Sequence, residues 1–178
     1  MGKQFEKILA EHKIFINNQK IFFVATSPNE GKINLSPKGL DSFKILDDNK
    51  IIWLNLTGSA NETAAHLIEN NRMTIMFCSF DETPLILRLF GKAKNHYAGS
   101  DEFNKLNSYF NDFPGKRQII EMQIDLVQTS CGWGVPQYTF NQHRNKLIQW
   151  AEDKGDEGIK NYWQEKNKVS LDNKPTGL

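Results

Sequence analysis

The 178-residue chain has few cysteines, no bias of charge and no long apolar run. Its two cysteines, Cys78 and Cys131, lie far apart, and neither they nor the four histidines have the spacing of a zinc site. With 22 basic and 21 acidic residues the net charge is +1, so no basic excess points to a nucleic-acid partner. No run of 18 apolar residues predicts a transmembrane helix, and the N-terminus carries no apolar signal segment. We therefore expect a cytoplasmic protein.

The common catalytic signatures are also missing. The sequence has no Gly-x-Ser-x-Gly elbow, no Walker-type loop and no Gly-x-Gly-x-x-Gly motif. No nucleophile or acid–base pair can be recognised. An enzyme built on this chain would therefore draw its reactive chemistry from a cofactor.

Apolar patterning predicts an α+β fold. Helices are expected over residues 3–18, 60–70, 100–110 and 145–167, with Gly155 dividing the last into two. Six strands are expected over residues 21–26, 33–36, 50–56, 72–80, 85–93 and 117–127. Most of these strands follow one another through short turns, and a small antiparallel barrel would remove their free edges.

The segment after the third predicted strand carries the clearest functional signal. Gly58 ends an apolar run, Ser59 stands at a helix N-cap position, and Glu62 follows three residues later, which is the pattern of a capping box. A helix N-terminus after a strand-end loop presents unpaired backbone N–H groups, and these can bind a phosphate. The alternative is that Ser59 and Glu62 only cap the helix.

Three further residues have two interpretations each. Arg88 interrupts an apolar strand, so it either faces solvent or binds a phosphate or carboxylate in a cleft. Lys38, in a Ser-Pro-Lys-Gly turn, is either a turn lysine or a phosphate ligand. Trp133 stands between two glycines and either fills a core or stacks on a planar ligand. Cys78, in an apolar strand, is expected to be a buried, inert thiol.

Several segments, in their order along the chain, resemble the pyridoxamine 5′-phosphate oxidase-like flavoproteins, the FMN-binding split-barrel family. A C-terminal stretch from Trp150 to Asn167 also resembles one bacterial branch of this family, so the resemblance runs nearly from end to end. The segments that carry it are NLSPKG at 34–39, LTGSANETAAHL at 56–67, ENNRMTIMFC at 69–78, ILRLFG at 86–91 and SCGWGVP at 130–136.

The resemblance implies a six-stranded antiparallel split β-barrel over residues 1–140, with residues 141–178 as a helical extension of the same domain. It also implies a homodimer with FMN at the subunit interface and a small-molecule substrate, without nucleic acid or membrane. By this resemblance Lys38 and the loop Gly58–Thr63 lie near the phosphate and ribityl chain, and Arg88 and Trp133 lie near the flavin. The cofactor-binding residues expected are Ser36, Pro37, Lys38, Asn55, Gly58, Ser59, Asn61, Glu62, Thr63, Arg88 and Trp133.

The sequence departs from true pyridoxamine phosphate oxidases at two places. No arginine follows Arg144, whereas those enzymes hold the substrate phosphate with C-terminal arginines. The loop after Leu56 also lacks their Arg-Lys pair for the FMN phosphate. We therefore expect an FMN-dependent oxidoreductase that does not oxidise vitamin B6. The alternatives are a non-catalytic flavin or haem protein, with His66 or His96 as the haem ligand, and a deazaflavin protein.

Overall fold

The computed structural model describes residues 2–178, which form one curled antiparallel sheet flanked by helices. Within this part of the chain the sheet has eight strands and is accompanied by four α-helices. The strands are β1 (Lys3–Phe5), β2 (Phe22–Thr26), β3 (Asn34–Lys38), β4 (Phe43–Ile45), β5 (Lys50–Leu56), β6 (Arg72–Cys78), β7 (Ile86–Tyr97) and β8 (Lys116–Ser130). The helices are α1 (Ala10–Asn18), α2 (Glu62–Glu69), α3 (Asp101–Asn107) and α4 (Lys146–Tyr162).

The strand order makes β8 the centre of the fold and leaves β3 and β4 at opposite ends. The order is β3-β2-β6-β7-β8-β5-β4, and the short β1 pairs with the C-terminal part of β8. Although β2 and β4 are distant in this order, the rings of Phe22 and Phe43 lie 5.1 Å apart between centroids. The sheet therefore curls until its two ends meet across the interior.

The predicted α+β split barrel is confirmed. The six predicted strands correspond to β2, β3, β5, β6, β7 and β8. The strands β1 and β4, of three residues each, are additional. Such short strands carry too little alternation to be recognised from sequence.

Two apolar clusters hold the sheet in this shape. Strand β2 alternates between buried and half-buried residues, as expected when one face covers a core. Strand β5 is buried on both faces, because α3 packs a second cluster against its outer side. The inner cluster is built on Val24, Ile51, Trp53, Ile75, Leu87, Leu89, Ile120 and Val127, and the outer one on Ile52, Leu54, Phe103, Leu106, Phe110 and Ile119.

The predicted helix over residues 3–18 is wrong in its first half. Residues Lys3–Phe5 pair with Val127–Thr129 as strand β1, and helix α1 begins only at Ala10. The edge of β8 offers unpaired backbone groups there, and pairing with that edge overrides the helical pattern of the sequence.

The C-terminal extension consists of a broken helix and a folded tail. In α4, Gly155 has a φ of 62°, which interrupts the helix at the predicted position. A π-helical turn, Trp163–Asn167, follows, and a bridge between Val169 and Pro175 closes a loop after it. None of the helices in residues 2–178 is both long and apolar enough to cross a membrane.

Candidate functional site

Nine of the eleven predicted cofactor-binding residues line a single cavity. The cavity has a volume of about 210 Å³ and lies where β3, the end of β5 and the start of α2 meet. The nine residues are Ser36, Pro37, Lys38, Asn55, Gly58, Ser59, Asn61, Glu62 and Thr63. Four lining residues were not predicted, and they are Asn34, Leu56, Ala60 and Arg117.

Strand β3 places alternate side chains on the cavity side. Asn34, Ser36 and Lys38 are partly buried, whereas Leu35 and Pro37 are exposed. Because β3 lies at the edge of the sheet, Pro37 can occupy it without breaking a ladder on both sides. Ser36 Oγ donates a 2.9 Å hydrogen bond to Asn34 Oδ1, which fixes the polar face of this strand.

Two cations dominate the electrostatics of the cavity. The ammonium of Lys38 lies 5.0 Å from the ring centroid of the buried Trp53, within the range of a cation–π contact. Burial, with the positive charge of Arg117 adding to it, lowers the pKa of Lys38 to about 8. Burial also lowers the pKa of Arg117 to about 10. Both side chains are therefore mainly cationic at neutral pH, and each favours an anion beside it.

Arg117 is the principal residue that sequence reasoning missed. It is 1% exposed, and its guanidinium Nη1 donates a 2.7 Å hydrogen bond to Asn167 Oδ1. At the start of β8 it reads as an ordinary polar residue before an apolar strand. No local motif marks it, because its partner Asn167 comes from the C-terminal tail.

Several buried polar atoms around the cavity have no hydrogen-bond partner among residues 2–178. These atoms are Asn61 Nδ2 and Oδ1, Arg117 Nε and Gln118 Nε2. Leaving such groups unpaired costs about 1–3 kcal/mol each, so they indicate a site that a polar ligand or water completes.

The capping-box prediction is wrong. Helix α2 begins at Glu62, so Asn61, not Ser59, stands at the N-cap, and its side chain makes no capping bond. Ser59 is exposed, and the carboxylate of Glu62 accepts the backbone N–H of Leu171 at 3.0 and 3.2 Å. The C-terminal tail therefore takes the partner that the capping box would have used. The first N–H groups of α2 consequently lack a side-chain cap beside the cavity.

Arg88 and Trp133 do not line this cavity. Arg88 lies on β7, and its Nη1 donates a 3.1 Å hydrogen bond to Ser130 Oγ. Trp133 lies in the irregular segment after β8 and is 83% exposed. The predicted roles of these two residues toward a flavin stay predictions.

The side chains considered as metal or haem ligands have other partners. Nδ1 of the buried His66 lies 3.0 Å from Thr26 Oγ1, and Nε2 of His96 lies 2.9 Å from Glu121 Oε2. Neither histidine lines the cavity. Cys78 is buried, as predicted, whereas Cys131 is exposed. In residues 2–178 no three His, Cys, Asp or Glu side chains come together as a metal site.

Comparison with curated proteins finds a related sequence in a fungus. The chain is 44% identical over 127 residues to a pyridoxamine 5′-phosphate oxidase family protein of Aspergillus flavus. The match covers 66% of this chain and 49% of that protein, so the chain spans about half the length of this relative.

Solved structures share the fold. HupZ of Group A Streptococcus has a TM-score of 0.56 and 24% identity, covering 69% of this chain and 99% of that one. A candidate pyridoxamine 5′-phosphate oxidase from Lactobacillus delbrueckii has a TM-score of 0.57 and 18% identity, covering 69% and 94%. The family model described as pyridoxamine 5′-phosphate oxidase matches residues 8–131. This chain therefore belongs to the pyridoxamine 5′-phosphate oxidase family.

Proposed function

We propose that the protein binds FMN, with the phosphate held in the cavity between Lys38 and Arg117. The observation that carries the proposal is the approach of these two buried cations to one cavity at the start of helix α2. A phosphate carries close to two negative charges at pH 7 and accepts several hydrogen bonds. It would stabilise both cations and accept the first N–H groups of α2.

The residues present fit such a group. Arg117 Nε and Asn61 Nδ2 are buried donors without a partner among residues 2–178, and phosphate oxygens would supply acceptors for both. Glu62 is the carboxylate among the lining residues, and its oxygens accept the N–H of Leu171. That bond reduces the repulsion an anion would meet in the cavity.

The size of the cavity supports a dimeric site. Sites that enclose a cofactor usually have volumes of about 300–1,000 Å³, and this cavity has about 210 Å³. One chain would accommodate the phosphate end and leave the isoalloxazine ring partly uncovered. We therefore propose a homodimer whose second subunit covers the ring. Exposed aromatic residues of the segment after β8 are the surface we expect at this contact, and they are Trp133, Tyr138 and Phe140.

We further propose an oxidoreductase acting on a small molecule. When bound, FMN supplies hydride or electron transfer. The contribution of the protein is to bind the phosphate, orient the ring and exclude water from it. Arg88 and Trp133 are the residues we expect near the ring.

Ligand binding and turnover are tested separately. Titration with FMN and riboflavin measures the contribution of the phosphate, and FMN should bind at least about tenfold more tightly, as expected for charge-assisted hydrogen bonds. Equal affinities would contradict the phosphate site. Anaerobic reduction of the loaded protein by NADH or NADPH, followed by reoxidation in air, then tests the oxidoreductase. Tight FMN binding without reduction would instead support a non-catalytic flavin protein.

A further inference from the structure

The C-terminal tail, residues 163–178, makes direct contacts with the walls of the candidate phosphate cavity. Trp163 Nε1 donates a 2.8 Å hydrogen bond to Thr57 Oγ1, immediately before the loop Gly58–Thr63. Leu171 N–H donates to Glu62 at the start of α2. These contacts join segments more than 100 residues apart in the sequence, with separations of 106 and 109.

Asn167 is the residue of the tail that links both sides of the cavity. Its Oδ1 accepts the 2.7 Å hydrogen bond from Arg117 Nη1, and its Nδ2 donates a 3.1 Å hydrogen bond to the carbonyl of Gly58. The orientation of the amide is fixed by chemistry, because a guanidinium can only donate and a carbonyl can only accept. Asn167 is fully buried, so water does not compete for these bonds.

The tail in turn holds Asn167 in place. Thr176 Oγ1 donates to the carbonyl of Asn167, and Tyr97 on β7 donates a 2.6 Å hydrogen bond to the carbonyl of Thr176. Lys32 and Asp172 form an ion pair at 2.6 Å, and Lys174 pairs with Glu69 of α2. The last residues are thus tied to the sheet and to α2, and the position of Asn167 is determined from several directions.

We infer that Asn167 is a positioning residue of the phosphate site and that the C-terminal tail is an integral part of this site. The inference rests on the proposed function. Holding one Nη1 of Arg117 turns the guanidinium so that its unpartnered Nε remains for an anion. Holding the Gly58 carbonyl fixes the loop from which the N–H groups of α2 approach the same anion. A group positioned in this way binds phosphate without a cost of ordering it.

Two substitutions test the inference in the full-length protein. Asn167→Ala removes both hydrogen bonds. Asn167→Asp keeps an acceptor for Arg117, loses the donor to Gly58 and compensates the charge of Arg117. Both variants should weaken FMN binding by at least about tenfold and leave riboflavin within about twofold, since riboflavin has no phosphate. The matched control is Lys174→Ala, which removes a tail ion pair with Glu69 but touches no residue of the cavity wall.

The ratio of FMN to riboflavin affinity separates positioning from a merely structural role. A general loss of folding would weaken both ligands together, and thermal unfolding of each variant checks this directly. If Asn167→Ala unfolds, Asn167→Asp carries the test. An unchanged ratio in the folded variants overturns the inference and leaves the proposed function intact. A wild-type protein that does not prefer FMN over riboflavin overturns the phosphate site itself, and the inference with it.

Discussion

Lys38 and Trp53 come from strands at opposite ends of the sheet order, yet the ammonium of Lys38 lies 5.0 Å from the centroid of the Trp53 ring. The contact depends on the curl of the sheet, which brings β3 over β5. It holds a cation in a partly desolvated position beside Arg117, and both effects lower the pKa of Lys38. The cavity is therefore arranged for an anion before any ligand binds.

The first prediction concerns the charge of Lys38. Lys38→Ala should weaken FMN binding by about 10- to 100-fold, the effect of losing a charge-assisted hydrogen bond of about 1.5–3 kcal/mol. Riboflavin should be affected much less. Isothermal titration with both ligands measures the difference, and the exposed Lys92→Ala is the matched control. Equal weakening of the two ligands would mean that Lys38 acts through the fold.

The pH dependence of binding is the second prediction. With a pKa of about 8, Lys38 is cationic below that pH and loses its charge as the pH rises through it. FMN affinity should therefore fall above about pH 8, by up to about tenfold per pH unit, whereas riboflavin affinity should not follow. Bound phosphate raises the pKa of Lys38 and moves part of the loss to higher pH. A Lys38→Ala variant with the same FMN profile as the wild type would contradict this origin.

Helix capping gives the third prediction. Ser59→Ala should change the free energy of unfolding by less than about 0.5 kcal/mol, because Ser59 is exposed and does not cap α2. Ser100→Ala is the matched comparison, because Ser100 Oγ accepts the N–H of Phe103 at the start of α3. That change should cost about 1 kcal/mol. Chemical denaturation compares the two, and a larger loss for Ser59→Ala would restore the capping box.

A backbone contact gives the fourth prediction. The strand register shifts between Phe90 and Gly91, and a Cβ at Gly91 would overlap the carbonyl oxygen of Gln123. Gly91→Ala should therefore destabilise the protein by about 1–3 kcal/mol. Gly134→Ala is the control, because a Cβ there meets nothing within 4 Å. Thermal unfolding of both variants measures the difference, and a Gly91→Ala protein as stable as the control would exclude the close approach.

The sequence predicts much of this fold because local patterns and tertiary structure agree over most of its length. The six longer strands alternate or run apolar as their burial demands, and Gly155 interrupts α4 where predicted. The first helix was predicted too long because the pairing of Lys3–Phe5 with β8 is a tertiary effect. The three-residue strand β4 is likewise too short to leave a pattern.

The candidate site divides along the same line. Residues 36–38 and 58–63 lie in continuous motifs, and the structure brings both segments to one cavity. Arg117 and Asn167 lie in no motif, and they meet only because the tail returns over the start of β8. The capping box failed for the same reason, since Leu171 of the tail takes the carboxylate of Glu62. Contacts made by a returning terminus leave no local periodicity from which they could be predicted.

The most direct test of the proposed function is the visible absorption spectrum of freshly purified protein, with the mass of the released chromophore. We expect the bands of an oxidised flavin and the mass of FMN, close to one per subunit, or stoichiometric uptake of added FMN. A colourless protein that stays colourless after FMN is added would contradict the account, and the cavity between Lys38 and Arg117 would then need another anion.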